Sequence, residues 1–438
     1  MISKTFKNLI YFFFLFPGNL VSAQLIYDTP ESVGLNSNYI ETNVDSIMHD
    51  AITQKAFPGA QLLVAKKGNI IFHKTYGFHT YDSIQRVAKD DVYDLASVTK
   101  ITGPLPALMK LYEEGKLNLD VPFSTYWKSW KSRNDKKDIT LRELLAHQSG
   151  MNPYIVFLSD VLRKGKPKNR FIKSTSQKRY SNKVYNNIYV KNRFNRKVFR
   201  KIKRSKVRDD KTYIYSGLAS LIYPTLIENI TGENYEDYLN TNFFKPLGCE
   251  VLGYNPLTKN FKNSIVPTEL DSLFRNDYVK GYVHDENATL LGGVSGNAGL
   301  FATALDMAKY MQMLVQKGTY NGKQYFKPTT VEEFTKIQYP ENENRRGLGF
   351  DKPIIGNDTL SIKEAYPAPQ VSPTSFGHSG FTGTFVWADP EHELVFIFLS
   401  NRVYPSRTHR NIYNLNVRPK LQQVFYTSPI IEEKLTNN

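Results

Sequence analysis

Ser97-Val98-Thr99-Lys100 sets a potential nucleophile and a potential activating ammonium three residues apart. On a helix, residues i and i+3 share a face, so the Ser97 hydroxyl and the Lys100 amine can meet. A helix beginning at Ser97 would add the positive field of its N-terminus, which favours an alkoxide. Chance supplies roughly two Ser-x-x-Lys tetrads in a chain of this composition, yet this is the only one present. Its ordinary reading is a helix start with an exposed lysine, so the tetrad needs partners before it means chemistry. Tyr213-Ile214-Tyr215-Ser216-Gly217 and Phe376-Gly377-His378-Ser379-Gly380 offer them. Acyl transfer by serine requires a base beside the nucleophile, a cation to keep that base ionised, and backbone donors for the oxyanion. Tyr215 serves as base if neighbouring cations, Lys100 first, pull its pKa well below about 10. His378-Ser379-Gly380 suits an edge strand, with Gly380 letting a substrate lie close. The next amide, that of Phe381, can then join the Ser97 amide as an oxyanion hole. Taken singly, the Tyr-Ser-Gly triplet reads as a helix start and the His-Ser-Gly triplet as a turn.

In this order the three motifs resemble the β-lactamase-related serine hydrolases, which include class C β-lactamases, D-Ala-D-Ala carboxypeptidases, D-aminopeptidases and esterases. That pattern runs Ser-x-x-Lys, then Tyr-x-Asn or Tyr-Ser-Asp/Asn, then Lys-Thr-Gly or His-x-Gly. The flanks are similar too: Ile139 to Met151 (ITLRELLAHQSGM), Leu226 to Gly232, Phe244 to Gly248, and Gly293 to Phe301. The likeness extends from about Glu31 to Val424, almost the whole mature chain. It implies an α+β, β-lactamase/transpeptidase-like fold: an antiparallel sheet flanked by helices, with an inserted all-helical subdomain. Ser97 would lie at the boundary of sheet and subdomain, and His378 on the adjacent edge strand. The implied chemistry is an acyl-enzyme on Ser97, with Tyr215 assisted by Lys100 as base. The Ser97 and Phe381 amides would hold the oxyanion, and His378 would line the pocket opposite. Gly217 departs from the pattern, standing where relatives carry an Asn or Asp that holds the lysine or the substrate amide. Water or Asn297 is left to fill that gap. His378 in place of a lysine also removes a permanent cation that would greet a β-lactam or peptide carboxylate. Esters and other amides are therefore at least as well suited as substrates.

Several elements must position these residues. Ile40 to Ile52 has helical periodicity. Residues 61–65 and 70–73 flank Lys66-Lys67-Gly68-Asn69, a hairpin signal with a glycine turn. Ile101 to Glu114 continues the nucleophile helix, Leu141 to about Phe243 reads as mostly helical, and Ala304 to Gln316 as amphipathic helix. Residues 384–388 and 393–399 read as strands around Asp389-Pro390-Glu391-His392, followed by a final helix from Asn411 to Phe425. Strands at both ends with helices between give an α+β plan.

Composition narrows the setting. Lys4 and Lys7, the apolar run Leu9 to Phe16 and Val21-Ser22-Ala23 before Gln24 read as a secretory signal over residues 1–23. The expectation is export to the periplasm or medium, with one catalytic domain over 24–438 and no transmembrane anchor. Cys249 is the sole cysteine and reads as a small buried hydrophobe. The eight histidines show no ligand spacing, so no metal is expected, and no cofactor is called for. A basic, helical insertion is expected over about 160–211. Between Arg163 and Lys211 lie twenty Lys and Arg against two acids, Asp209 and Asp210, more than the whole net charge of +16. Aromatics interleave with these cations, a pattern that suits nucleic acid, but the export signal argues against that partner. The remaining readings are a solvated surface or a rim attracting anionic substrates or envelope material. The expected substrate is a small-molecule, peptide or glycan-derived ester, and the oligomeric state is not legible. The rival to the hydrolase is a catalytically weak or inactive protein of the same fold that binds anionic envelope or glycan material.

Overall fold

A computed structural model describes residues 24–260 and 262–430; the expected signal segment 1–23 lies outside them. One six-stranded sheet organises the body. Its strands are β1 (Ile26–Tyr27), β2 (Gly59–Lys66), β3 (Asn69–Gly77), β4 (Phe376–Ser379), β5 (Phe385–Asp389) and β6 (Leu394–Ser400), in the order β1-β3-β2-β6-β5-β4. All neighbours are antiparallel except the short β1, which runs parallel to β3. The β2–β3 hairpin closes through Lys67 at φ 51° and Gly68 at φ 81°, a left-handed pair of the kind that matches strand twist and favours glycine.

The main helices are α1 (Ser37–Thr53), α2 (Thr99–Thr102), α3 (Pro104–Glu113), α4 (Asn195–Arg204), α5 (Ala304–Val315) and α6 (Val417–Thr427). Successive residues of β2 feed opposite layers, as a period of two requires. Leu62 and Val64 pack with Ile40, Val44 and Met48 of α1 and Leu421 and Phe425 of α6. Leu63 and Ala65 join Met307, Met311 and Leu314 of α5 in the larger core on the other face. Both faces of the sheet are covered, which explains why β2 and β6 read as continuous apolar runs. Among the described residues no helix is long and apolar enough to cross a membrane.

Three local readings change. The nucleophile helix is not continuous: α2 ends at Gly103 and α3 restarts at Pro104, because proline has no N–H to donate to the preceding turn. The final helix divides likewise, with Asn416 at φ 51° separating a turn at Asn411–Asn414 from α6. The basic segment is not helical throughout. It holds a two-stranded ribbon (Leu162–Arg163 with Lys166–Pro167) and a three-stranded sheet (Ile172–Lys173, Asn182–Tyr185 and Ile188–Val190); α4 is its helix. Val184-Tyr185 and Ile188-Tyr189-Val190 around Asn186-Asn187 carry the β-branched and aromatic hairpin signal that the surrounding lysines obscure.

A second, three-stranded sheet of Gly253–Tyr254, Leu300–Ala302 and Tyr93–Asp94 delivers the nucleophile. Leu95 N donates to Leu300 O at 2.9 Å. From the other side, Thr382 Oγ1 donates to Asp94 O at 2.8 Å and Thr384 Oγ1 to Leu95 O at 3.0 Å. The approach to Ser97 is thereby clamped between the turn after β4 and the segment around Leu300.

Candidate active site

Ala96 turns into the left-handed region at φ 45°, a conformation that costs a non-glycine residue about 1 kcal/mol or more. Its amide is held by Asp94 Oδ1 at 2.8 Å. Ser97 follows on a single 3-10 turn that runs into α2. Lys100 Nζ donates to Ser97 Oγ at 2.9 Å and to the backbone carbonyl of Asn297 at 3.1 Å. That carbonyl gives Lys100 a second acceptor where Gly217 offers no side chain. The Asn297 side chain is engaged elsewhere, accepting from Ser295 Oγ at 2.7 Å and donating to Asp285 Oδ1 at 3.1 Å. A Cβ on Gly217 would lie 3.9 Å from both Asn297 Cβ and Lys100 Cε, ordinary van der Waals contact. Position 217 has room for a Cβ.

Tyr215 is half-buried beside this pair, with its hydroxyl oxygen covered. Burial raises its phenol, but Lys100 and then Arg346 outweigh that effect and hold its pKa below the ordinary tyrosine value. The Lys100 ammonium lies 5.2 Å from the ring centre and the Arg346 guanidinium 5.5 Å. The hydroxyl makes no conventional hydrogen bond, although Ser97 and Lys100 are near enough to favour its ionised form. Arg346 is a residue that sequence reasoning missed. It is buried, donates to Gly349 O at 3.0 Å and pairs with Asp351 at 3.3 Å. In sequence it follows Glu341-Asn342-Glu343-Asn344-Arg345, a polar run that reads as a surface loop. No motif marks it.

Two imidazoles flank the Tyr215 ring, His147 with ring centres 4.6 Å apart and His378 at 6.0 Å. His378 Nδ1 lies 2.7 Å from its neighbour's carbonyl, Ser379 O, so the proton sits on Nδ1 and Nε2 is left as a buried, unpartnered acceptor. His147 has the opposite tautomer: its Nδ1 accepts from Ser216 N at 3.2 Å, leaving an unpartnered Nε2–H. Burial, reinforced by Arg346 and Lys100, pushes the His378 pKa down to about 3 and that of His147 well below its usual value. Both rings are neutral at pH 7, and this sets an acid sensitivity. Unfolding returns each imidazole to a pKa near 6.5, so below that pH the unfolded chain binds more protons than the folded one. Stability is therefore full above about pH 6.5 and falls as the pH drops from there toward 3. We expect the thermal midpoint to fall between about pH 7 and pH 5, with a shallower slope in His378→Asn. An unchanged slope in the variant would refute the assignment to His378.

Ser97 opens into a cavity of about 190 Å³ lined by Ala96, His284, Asp285, Glu286, Asn297, Phe381 and Arg407 among others. Phe381 is 45% exposed, and its ring stacks on that of His284 at 5.7 Å. Across the cavity Arg407 ties Glu269 and Glu286 together, each at 2.7 Å. A larger cavity, about 610 Å³, lies away from this chemistry between Glu31 to Leu35, Lys66 and Tyr426. The structure brings Ser97, Lys100, Tyr215 and His378 together, with two differences from expectation. His378 is packed behind the Tyr215 ring and is not among the residues lining the cavity. Gly380 is required by the protein's own chain: a Cβ there would lie 2.0 Å from Thr384 Oγ1 and 2.5 Å from Leu95 O. The strand ends at Ser379 and Phe381 sits in the tight turn that follows, where Gly383 N donates to Gly380 O at 3.1 Å. Cys249 is half-buried, its thiol pushed up by burial, and stands apart from the site.

The sequence profile described as Beta-lactamase matches residues 41–418. A protein of Escherichia coli O157:H7, provisionally named a D-alanyl-D-alanine carboxypeptidase, is 29% identical over 412 residues, covering 86% of each chain. Among solved structures, EstCE1, described as a hydrolase with promiscuous acyltransferase activity, superposes with a TM-score of 0.62 at 16% identity, covering 88% of this chain and 98% of its own. A class C β-lactamase from Rhodobacter sphaeroides gives a TM-score of 0.61 at 16% identity, covering 87% and 99%. The architecture is thus an α+β fold of the β-lactamase/transpeptidase type.

Proposed function

The chain belongs to the Beta-lactamase family and is a serine hydrolase; from that premise we propose that it is exported and cleaves carboxylic esters through an acyl-enzyme on Ser97. The observation that carries the reading is Lys100 Nζ at 2.9 Å from Ser97 Oγ, with the Tyr215 phenol held below its ordinary pKa beside them. Ionised Tyr215 takes the Ser97 proton as Oγ attacks the carbonyl. The tetrahedral oxyanion is met by the Ser97 and Phe381 amides. As the intermediate collapses, the leaving alkoxide takes the proton from Tyr215. Water then attacks the acyl-enzyme, giving a proton to Tyr215, which passes it to Ser97 Oγ as the acid departs. Lys100 stays charged throughout and holds Ser97 and the phenolate together.

Two features support esters over β-lactams and peptides. His378 is neutral at pH 7 and offers no fixed cation to a substrate carboxylate. Gly217 leaves the substrate amide without the side chain that would hold it, whereas an ester has no amide N–H to hold. We expect p-nitrophenyl acetate and butyrate to turn over at least about tenfold faster than nitrocefin or D-alanyl dipeptides. Gly217→Asn, whose Cβ meets only ordinary van der Waals contacts, should change stability by less than about 1 kcal/mol and raise nitrocefin hydrolysis. Faster peptide than ester turnover in the wild type would overturn the ester assignment. Gly217 also favours a second reading, a weak or inactive site on a protein that binds anionic envelope or glycan material. Absence of turnover across the whole panel would select it.

A further inference from the structure

The strongest feature that the hydrolytic machinery leaves unused is the charge of residues 163–211. This stretch carries twenty cations against two acids, +18, so the rest of the chain sums to −2. Concentrating like charge opposes compaction, yet the segment is folded. Ile172, Val184, Val190, Phe194, Val198 and Ile202 are all buried in the main core, which fixes the cations on a rigid base and lowers the ordering cost of binding. Few are neutralised. Among the described residues only Lys197 and Lys201 (with Asp160), Arg208 (with Asp210) and Lys211 (with Glu143) have a carboxylate partner. On α4, Arg196, Arg200 and Arg204 recur every four residues and are all exposed, a line of unpaired guanidiniums stepping about 6 Å at a time along one face.

The same surface excludes two kinds of polyanion. It has no exposed large apolar side chain, and α4 turns Val198 and Ile202 inward, so nothing is free to enter a bilayer as an interfacial helix requires. None of its aromatics is exposed: Tyr185 and Phe194 are buried, Phe199 packs edge-on against Trp127, and Arg170 and Lys197 lie over Phe171 and Lys173 over Tyr180, which leaves few of the free stacking platforms that single-stranded nucleic acid uses. What remains complementary is a hydrated chain of repeated anions. The chain leaving the segment runs directly to the catalytic tyrosine. Arg208 N donates to Gly150 O at 2.9 Å and Ile214 N to His147 O at 3.0 Å, one residue before Tyr215.

We infer that residues 163–211 dock an acidic polysaccharide, with carboxylate or sulfate groups on the Arg196–Arg200–Arg204 face, and that this polymer carries the acyl ester cleaved at Ser97. The substrate half of the statement rests on the hydrolase reading; the docking half does not. The test uses the mature chain with polygalacturonate and heparin as binding probes, and acetylated polygalacturonate and p-nitrophenyl acetate as substrates. Binding to the two polysaccharides should weaken at least about tenfold between roughly 50 and 200 mM salt, by release of counterions. The triple variant Arg196→Gln/Arg200→Gln/Arg204→Gln should lose at least about tenfold in affinity and show a shallower salt dependence, by about one in slope per lost contact. Its KM for the acetylated polymer should rise with kcat unchanged, and its turnover of p-nitrophenyl acetate should match the wild type. Ser97→Ala should bind the polymers normally. No polysaccharide binding, binding indifferent to the triple variant, or tighter binding to single-stranded DNA or phosphatidylglycerol vesicles overturns the docking assignment. A triple variant with an unchanged KM on the polymer overturns the substrate assignment. A wild type that binds polymer but hydrolyses neither ester leaves docking intact and removes the hydrolase reading instead.

Discussion

Ser97→Ala is expected to abolish covalent labelling by a fluorophosphonate and to lower ester turnover by about 10⁴-fold or more, the scale on which loss of a serine nucleophile acts. The substitution deletes one oxygen from a residue at the mouth of the cavity and creates no void in the core. Lys100 loses one acceptor but keeps the Asn297 carbonyl at 3.1 Å, so its position is preserved. The clamp on Leu95 and Asp94 involves backbone and the Thr382 and Thr384 hydroxyls, none of which the variant touches. The thermal midpoint should therefore hold while labelling disappears. A variant that still accepts the fluorophosphonate at a stoichiometry near one would place the nucleophile elsewhere. A variant that unfolds would be replaced by Ser97→Cys, whose retained geometry should keep the fold and still lose most esterase turnover.

The legibility of this chain divides along physical lines. The β2–β3 hairpin, β5 and β6 could be read because each apolar run is bounded by a local stop, Gly68 or Asp389-Pro390, and α1 because it repeats the helical period. The short strands of the basic segment were hidden because lysine and arginine interrupt its apolar residues. Their apolar partners then come one or two at a time, as at Ile172–Lys173. The site follows the same rule. Ser97, Lys100, Tyr215 and His378 sit in local motifs and are found together. The Asn297 carbonyl that accepts from Lys100 has no residue signature, since every amino acid carries a carbonyl. Arg346 acquires its place only through packing against Tyr215 from 131 positions away. The reason for Gly380 is partly non-local: besides Thr384 Oγ1 four residues on, the backbone oxygen of Leu95 stands in the way of a Cβ. What spacing cannot show is which distant backbone a small residue must let pass.

Arg346 gives the second large effect, because Tyr215 as base depends on both of its cations. Tyr215→Phe keeps the ring between His147 and His378 and removes only the oxygen. We expect turnover to fall by about 10²- to 10⁴-fold, the range for loss of a general base, at every pH. Arg346→Met should behave differently. The phenol stays, but one of the two charges opposing its desolvation is gone, so its pKa rises. A rate that needs the phenolate increases with pH through that pKa, and the rising limb of kcat/KM must therefore move to higher pH. At pH 7 the variant should be slower by about tenfold or more, approaching wild-type turnover in alkali. Asp351 is not stranded by the change, because Arg345 also bonds it, at 3.1 and 3.3 Å. Arg346→Lys restores the charge without the planar fork, and should return the limb most of the way. A merely structural role for Arg346 would depress turnover equally at all pH values and leave the limb in place. That result would also weaken the case for Tyr215 as the base, since a phenol whose oxygen is buried and that is indifferent to the loss of a guanidinium 5.5 Å away would not be ionising in the catalytic cycle.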